Sequence, residues 1–110
     1  WFNDTTVDAP DGLAPPVRLS AAAAHPNPFN PATTLAFTLE GDGDARTRID
    51  IHDVLGRRVR RLAVGSLPAG DHAVRWDGRD DAGAALPGGL YLAIVRAGDD
   101  AKSLKLTLVK

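Results

Sequence analysis

Aspartate is the residue type whose spacing in this chain most invites a chemical role. Five aspartates form two glycine-rich groups, which are Asp42 with Asp44, and Asp77 with Asp80 and Asp81. Carboxylate oxygens grouped in this way are ligands that Ca²⁺ prefers. Aspartates also stabilise turns by accepting hydrogen bonds from nearby backbone N–H groups, which needs no ion. Because Arg79 stands where an EF-hand loop would carry a ligand, we favour turn stabilisation and keep Asp77, Asp80 and Asp81 as weak calcium candidates.

Nucleophilic and zinc chemistry both require side chains at characteristic spacings. The side chains that could act as nucleophiles, bases or zinc ligands are His25, His52, His72, Ser20, Ser66 and Ser103. The histidines fall in separate predicted elements at no metal-ligand spacing, and the serines lie in no nucleophile motif. The chain contains no cysteine, so neither a disulfide nor a thiolate site can form. We therefore predict surface histidines, no catalytic residue, no cofactor and no enzymatic activity.

A basic cluster spans residues 57–61 and consists of Arg57, Arg58, Arg60 and Arg61. It could contact a phosphate or an acidic glycan, but no aromatic side chain is interleaved with it as a stacking platform. We favour a solvated edge strand that positive charge protects from edge-to-edge pairing. The chain carries 13 basic and 14 acidic residues, a net charge of −1, which argues against nucleic-acid binding. No apolar run approaches the roughly 18 residues of a membrane span, so no membrane insertion is expected.

Glycine and proline punctuate short apolar runs along most of the chain. There are 11 glycines and 8 prolines in 110 residues, a pattern typical of a single all-β domain. Alternation of apolar and polar residues predicts strands at 17–23, 33–39, 46–52, 57–64, 71–76, 89–96 and 101–109, with turns at 41–44, 65–70 and 97–100. A β-bulge near Arg60 and Arg61 would keep the fourth apolar face continuous. The predicted fold is all-β, a seven-stranded antiparallel immunoglobulin-like β-sandwich over residues 17–110.

Large apolar side chains on the predicted inner faces define the expected core. It consists of Phe29, Phe37, Ile49, Ile51, Trp76, Tyr91, Leu92, Leu104 and Leu106. Three prolines exclude helix and interior strand from the loop at 25–31, so Phe29 is expected to tuck under the sheet. Trp76 at a strand end and Tyr91 at the start of the next strand are expected to pin one corner. The tyrosine hydroxyl should then bond to loop backbone.

Residues 1–16 differ in composition from the rest of the chain. They show no sustained periodicity and contain three prolines and three aspartates, which is typical of an arm or linker. Trp1, Phe2 and Val7 give this arm apolar anchors. They could pack on the arm's own domain or on another chain, and the sequence leaves both open.

Four motifs in order resemble two related bacterial families. They are PNPFNPATT at 26–34, IHDVLGRRV at 51–59, LPAG at 67–70, and WDG at 76–78 followed by GLY at 89–91. The chain is similar over residues 25–110 to the immunoglobulin-like domain of the flagellar hook-capping protein. It is also similar to the C-terminal sorting domain of bacterial secreted proteins, including type IX secretion cargo. One departure is His52, which stands where the family commonly has an aromatic residue.

The resemblance implies a non-catalytic β-sandwich that is usually the last module of a larger exported protein. Such modules end in a lysine-rich strand, and this chain carries Lys102, Lys105 and Lys110 near its end. One hypothesis is a sorting or anchoring module that secretion machinery recognises at a bacterial surface. The other is a subunit of an extracellular filament, in which the arm docks on an identical neighbour by strand addition. Both place the protein outside the cell or at the cell surface, with proteins as partners.

Overall fold

The computed structural model describes residues 17–110. The predicted arm at 1–16, with Trp1, Phe2 and Val7, lies outside the described residues, so its docking stays a prediction. Among residues 17–110, no helix has the length and hydropathy needed to cross a membrane.

The described chain forms five antiparallel strands. They are β1 (Arg18–His25), β2 (Thr33–His52), β3 (Arg58–Trp76), β4 (Gly89–Ala97) and β5 (Asp100–Leu108). The sheet order is β1-β2-β4-β5, and β3 pairs with β2. The predicted all-β antiparallel class is confirmed, whereas the predicted count of seven strands is wrong.

The strand count is lower because two predicted turns lie inside long strands. Leu39 pairs with Gly70, and the next pair is Asp44 with Pro68. Four residues of β2 therefore lie opposite a single residue of β3, and the β2–β3 ribbon bends at this bulge without reversing direction. Glycine and aspartate at 41–44 serve a bend within one ribbon, which the sequence alone does not distinguish from a hairpin turn.

The bend divides the strands into two portions. The three-stranded portion contains β1, the first half of β2 and the second half of β3. The four-stranded portion contains the first half of β3, the second half of β2, and β4 and β5. Strand β1 contacts β4 and β5 although it pairs with neither, so the two portions pack against each other.

Side chains from both portions share one core. Of the predicted core residues, the structure buries Phe29, Phe37, Ile49, Ile51, Trp76, Tyr91 and Leu106, and Leu104 is half-buried. Leu92 does not belong to the core, because 40% of its surface is exposed. Ala93 and Val95 occupy the inner face of β4, and Leu92 points from the opposite face beside Lys105 of β5. An apolar run on both faces of a strand therefore did not mean burial on both faces.

The bulge predicted near Arg60 and Arg61 lies one residue earlier. His52 pairs with Arg58 and Ile51 pairs with Arg60, which leaves Val59 as the extra residue. The predicted turn at 97–100 is confirmed, because Ala97 pairs with Asp100 across a tight β4–β5 hairpin.

Loop residues occupy both outer edges of the four-stranded portion. On β5, the Asn27 side chain donates to the Lys105 carbonyl (2.7 Å) and accepts from the Thr107 N–H (3.0 Å). The Phe29 backbone continues this pairing, donating to the Thr107 carbonyl and accepting from the Val109 N–H. On β3, the Asp81 N–H donates to the Val59 carbonyl, and its carboxylate accepts from the Arg61 N–H. Strand-edge groups at these positions are thereby satisfied.

The long strands define two ends of the domain. At the bend end, Val17, residues 42–46 and residues 98–100 surround one cavity, and the Gly98 N–H donates to the Arg46 carbonyl. At the loop end, the 53–57 hairpin, which joins β2 to β3, and the 77–88 loop, which joins β3 to β4, flank one cleft.

Candidate functional site

The 53–57 hairpin at the loop end is braced by the Asp53 carboxylate. Asp53 accepts from the backbone N–H groups of Leu55 (2.9 Å) and Arg57 (3.0 Å), and from the Arg57 side chain (2.9 Å). Its own N–H donates to the Arg57 carbonyl, and the Gly56 N–H donates to the Asp53 carbonyl. Partial burial raises the pKa of Asp53, but these hydrogen bonds and the Arg57 charge outweigh it and lower the pKa below its ordinary 3.8.

This braced hairpin presents two aliphatic side chains to solvent. Val54 and Leu55 are each 75% exposed. With Leu90, they line a cleft of 740 Å³ between the hairpin and the 77–88 loop. Large apolar side chains stabilise a fold when they are buried, so these two exposed side chains contribute little to the stability of the domain. A fixed turn that holds them outward is typical of a contact surface.

The exposed large apolar side chains of the described residues gather at this end. They are Val54, Leu55, Leu90, Leu92 and Val109, which we call the apolar patch. Leu90 and Leu92 share the outer face of β4. Leu90 pairs with Thr107 of β5, and Val109 lies two residues beyond Thr107 on the same face. Contiguous exposed apolar surface of this kind marks interaction sites on soluble proteins.

An aromatic cluster lies beneath the loop end and fixes its loops. The Trp76 ring lies 5.5 Å from that of Phe29 and 5.6 Å from that of Tyr91. The Trp76 indole N–H donates to the Arg79 carbonyl (3.0 Å). The Tyr91 hydroxyl donates to the Pro87 carbonyl, as predicted. Burial, and to a smaller extent the negative charge of Asp53, raises the pKa of this hydroxyl. These polar tips hold the 77–88 loop to the core.

The aspartates of the 77–88 loop are used within the protein. Asp77 accepts from the Arg79 N–H, Asp80 accepts from the N–H groups of Ala82 and Ala84, and Asp81 binds the edge of β3. Within residues 17–110, no three His, Cys, Asp or Glu side chains are grouped so that they could hold a metal ion. The structure therefore does not bring the calcium candidates Asp77, Asp80 and Asp81 together as a ligand set.

The arginine cluster faces several different partners. Arg57 binds Asp53, and Arg61 binds Asp50. Arg60 lies against the 77–88 loop, with its guanidinium 3.5 Å from Asp77 and donating to the carbonyls of Arg79 and Asp80. The Arg58 side chain is exposed and forms no hydrogen bond or ion pair with another side chain or backbone group within the described part of the chain.

Asp50 is a buried carboxylate on the outer face of the four-stranded portion. It is 5% exposed and lies 3.1 Å from the Arg48 guanidinium and 2.9 Å from that of Arg61. Burial raises the pKa of Asp50, but the hydrogen bond from Arg61 and the charges of Arg48, Arg61 and Arg58 lower it below 3.8. Two arginines of the basic cluster, Arg61 and Arg58, therefore help to keep this carboxylate ionised.

The histidines and serines stay apart. His25 is exposed, whereas His72 is half-buried against the Phe37 ring and its Nε2 lies 2.7 Å from the Pro68 carbonyl oxygen. His52 is half-buried, and its Nδ1 has no hydrogen-bond partner among residues 17–110. Within residues 17–110, no hydrogen bond joins any histidine to Ser20, Ser66 or Ser103. Two of the three histidines predicted at the surface are therefore partly covered by packing.

Sequence reasoning missed the residues that make the loop end distinctive. No role was predicted for Val54 and Leu55, which fall between two predicted strands, and Leu92 was predicted to lie in the core. The signal for the hairpin tip was present, because two adjacent aliphatic residues between an aspartate and a glycine leave a tight turn no way to bury both. The edge contacts of Asn27 and Asp81 carried no comparable signal, since their partners lie 80 and 20 residues away.

The fold and the loop end define a class of protein, an all-β antiparallel domain with an exposed apolar patch. The sequence model of the FlgD Ig-like domain matches residues 25–101. The chain is also 31% identical over 86 residues to the basal-body rod modification protein FlgD of Salmonella typhimurium. This match covers 78% of the chain and 37% of that relative. The chain belongs to the FlgD Ig-like domain family.

Solved structures with this fold come from two kinds of protein. Pseudomonas aeruginosa FlgD matches with a TM-score of 0.54 and 25% identity, over 69% of this chain and 58% of that one. Dimeric latent PorU of Porphyromonas gingivalis matches with a TM-score of 0.69 and 21% identity, over 96% of this chain and 10% of that one. PorZ, a surface component of the type IX secretion system of the same organism, matches with a TM-score of 0.57 and 18% identity, over 81% of this chain and 11% of that one. The predicted resemblance to the FlgD Ig-like domain is confirmed, and the matches to PorU and PorZ show a shared fold.

Proposed function

We propose that this chain is a non-catalytic protein-association module of an exported bacterial protein, and that it acts as a C-terminal sorting or anchoring module. The observation that carries the proposal is the apolar patch, which gathers exposed large apolar side chains around a braced hairpin. Such a surface is suited to binding protein. The two packed portions would form the immunoglobulin-like sandwich of the family, with its partners outside the cell or at the cell surface.

The chain matches only a small part of each of these relatives, which supports the proposal that it is a module of a larger protein. The chain spans 37% of the curated FlgD relatives and 10% of PorU. The corresponding parts of those proteins are therefore minor portions of longer chains. Lys105 of β5 pairs with Leu92 of the apolar patch and Lys110 follows Val109, which agrees with the lysine-rich end that the resemblance to sorting domains implies.

A reporter fusion tests the sorting role. The 110-residue chain is fused to the C-terminus of a periplasmic reporter and expressed in a bacterium that has type IX secretion. We expect the reporter at the cell surface or in the medium, and retained in an isogenic strain without that machinery. Retention in both strains, with the fusion folded and intact, would refute sorting while leaving protein association open.

A second candidate is a subunit of a self-assembling extracellular filament in which residues 1–16 dock on a neighbouring subunit. The observation that favours it is the separation of Val17 and the apolar patch. Val17, from which residues 1–16 extend, lies at the bend end, and the patch lies at the loop end. A contact between opposite ends of two copies is heterologous and propagates. Deleting residues 1–12 should then give a folded monomer by light scattering, and unchanged assembly would contradict this candidate.

A further inference from the structure

The apolar patch is bordered by positively charged side chains that form no ion pair within residues 17–110. Arg58, His52, Leu92 and Lys105 form one row across the outer face of the four-stranded portion. Arg58 and Lys105 are exposed on either side of Leu92. Cross-strand neighbours lie about 5 Å apart, so this row places cations within reach of any chain lying on the patch. The surface therefore suits a segment that combines apolar side chains with carboxylates.

Residues 1–16 have this composition. They contain Trp1, Phe2 and Val7 together with Asp4, Asp8 and Asp11, and they contain no lysine or arginine. We propose that the apolar patch and Arg58 bind residues 1–16 of a second copy of this chain. This inference rests on the association proposed above and names the surface and the segment that form it.

The mode of binding follows from the strand edges. At the loop end, the outer edge of β5 is occupied by Asn27 and Phe29, and that of β3 by Asp81. Strand addition needs unpaired edge groups, which these loop residues already satisfy. Residues 1–16 are therefore held by side chains that enter the 740 Å³ cleft and cover Val54 and Leu55. Carboxylates of the segment face Arg58, which makes the contact sensitive to salt.

The geometry also favours a second copy over the same molecule. Val17 lies beside Gly98 at the far end of β4, and eight residues of strand separate Gly98 from Leu90, a distance of about 26 Å. Ten residues from Val17 to Val7 reach about 33 Å when extended, and they would first have to pass around one layer of strands about 10 Å thick. Val7 therefore falls short of Leu90 and the cleft in its own molecule, and only Trp1 and Phe2 lie far enough along the chain to reach them, whereas all three side chains can reach the patch of a neighbour.

Sedimentation velocity of the intact chain over a concentration series tests the proposal. We expect reversible head-to-tail association that weakens with added salt and with excess synthetic peptide of residues 1–16. Val54→Ser combined with Leu55→Ser should raise the apparent Kd at least about tenfold, because it removes the most exposed apolar groups. Arg58→Glu should do the same. Arg75→Glu is the matched control, since it makes the same charge change on β3 in the three-stranded portion.

The variants are chosen so that folding does not obscure the result. Val54, Leu55 and Arg58 are exposed, so the thermal midpoints of all variants should stay close to that of the parent chain. A chain that is monomeric at every concentration and unaffected by the peptide would overturn the proposal. Association that survives the Val54 and Leu55 changes would also overturn it. So would association that depends on Val54 and Leu55 but that the peptide does not disrupt, which would indicate patch-to-patch pairing.

A membrane surface is the competing partner for an apolar tip with nearby cations. Vesicles of phosphatidylcholine with anionic phosphatidylserine provide that arm of the experiment. Vesicle binding that depends on Val54 and Leu55, and that the peptide does not displace, would overturn the proposal in favour of lipid. Self-association needs no secretion machinery, so its failure is separate from failure of the reporter export that tests sorting.

Discussion

The bend end and the loop end of this domain are joined by the same two long strands but differ in the side chains that they expose and in how those side chains are supported. The bend end exposes small and acidic residues, among them Asp42, Gly43, Asp44 and Asp99. The loop end places Trp76 under its loops and presents aliphatic side chains beside arginine. A bulge that only redirects a ribbon needs few side-chain contacts. The loop end is held to the core by the Trp76 ring and by its hydrogen bond to the Arg79 carbonyl.

Removing the Trp76 ring, which supports the loop end, should give the largest loss of stability among the changes considered for the two ends. Trp76→Ala deletes the ring that joins Phe29 to Tyr91 and the hydrogen bond to the Arg79 carbonyl. We expect a loss of about 3–5 kcal/mol in the free energy of unfolding, measured by urea denaturation. Trp76→Phe keeps most of the ring volume and should fall between the parent and Trp76→Ala. A loss below about 1 kcal/mol for Trp76→Ala would show that the loop end does not depend on this cluster.

Two glycines at positive φ provide a matched pair across the comparison. Gly78 at the loop end (φ 73°) has no room for a methyl group, since an added Cβ would lie 3.0 Å from the Pro31 carbonyl oxygen. Gly43 at the bend end (φ 94°) faces open space. Gly43→Ala should cost about 1 kcal/mol from backbone strain alone, and Gly78→Ala about 1–3 kcal/mol more from overpacking. Equal losses in urea denaturation would mean that the loop end is no more tightly packed than the bend end.

Acid sensitivity should separate carboxylates that have partners from those that do not. The pKa values of Asp50 and Asp53 are lowered in the folded state, because their hydrogen bonds and neighbouring arginines outweigh burial. A carboxylate with a lowered pKa stabilises the fold above its unfolded pKa, and this contribution is lost as pH falls through the folded pKa. The free energy of unfolding should therefore decrease below about pH 4.

Asp50→Asn isolates the central carboxylate in that titration. It should lower stability at pH 7 by about 1–2 kcal/mol and flatten the decline between about pH 4 and pH 2. The double variant with Asp53→Asn should flatten it further, and urea midpoints across the pH series measure both. Arg61→Gln is the companion control, because it removes the hydrogen bond while keeping the carboxylate. An unchanged slope in Asp50→Asn would contradict the assignment.

Local alternation and turn chemistry account for much of what the sequence predicts. The buried positions of Phe37, Ile49 and Ile51 follow the period of two, and the tight turn after Ala97 follows its glycine and aspartate. The Trp76 and Tyr91 corner was predictable because an aromatic with a polar tip at a strand end needs both a core and a loop carbonyl. These features depend on a few neighbouring residues.

Features that depend on distant partners were not predictable in this way. The bend in the β2–β3 ribbon depends on how many residues of β3 lie opposite the glycines of β2, which no local pattern records. Leu92 was misplaced because an apolar residue on a central strand looks the same whether its face is covered or exposed. The pairing of Arg60 with the 77–88 loop, and of Arg61 with Asp50, joins residues that local reasoning treated as separate clusters.

The loop contacts on the edges of β3 and β5 also determine how individual backbone amides exchange hydrogen with solvent. Outward-facing amides on edge strands normally exchange quickly because water is their partner. Here the amides of Arg61, Thr107 and Val109 donate instead to Asp81, Asn27 and Phe29. Their exchange requires the loops to lift while the sheet stays intact. These three amides therefore report the opening of the loop end separately from unfolding of the domain.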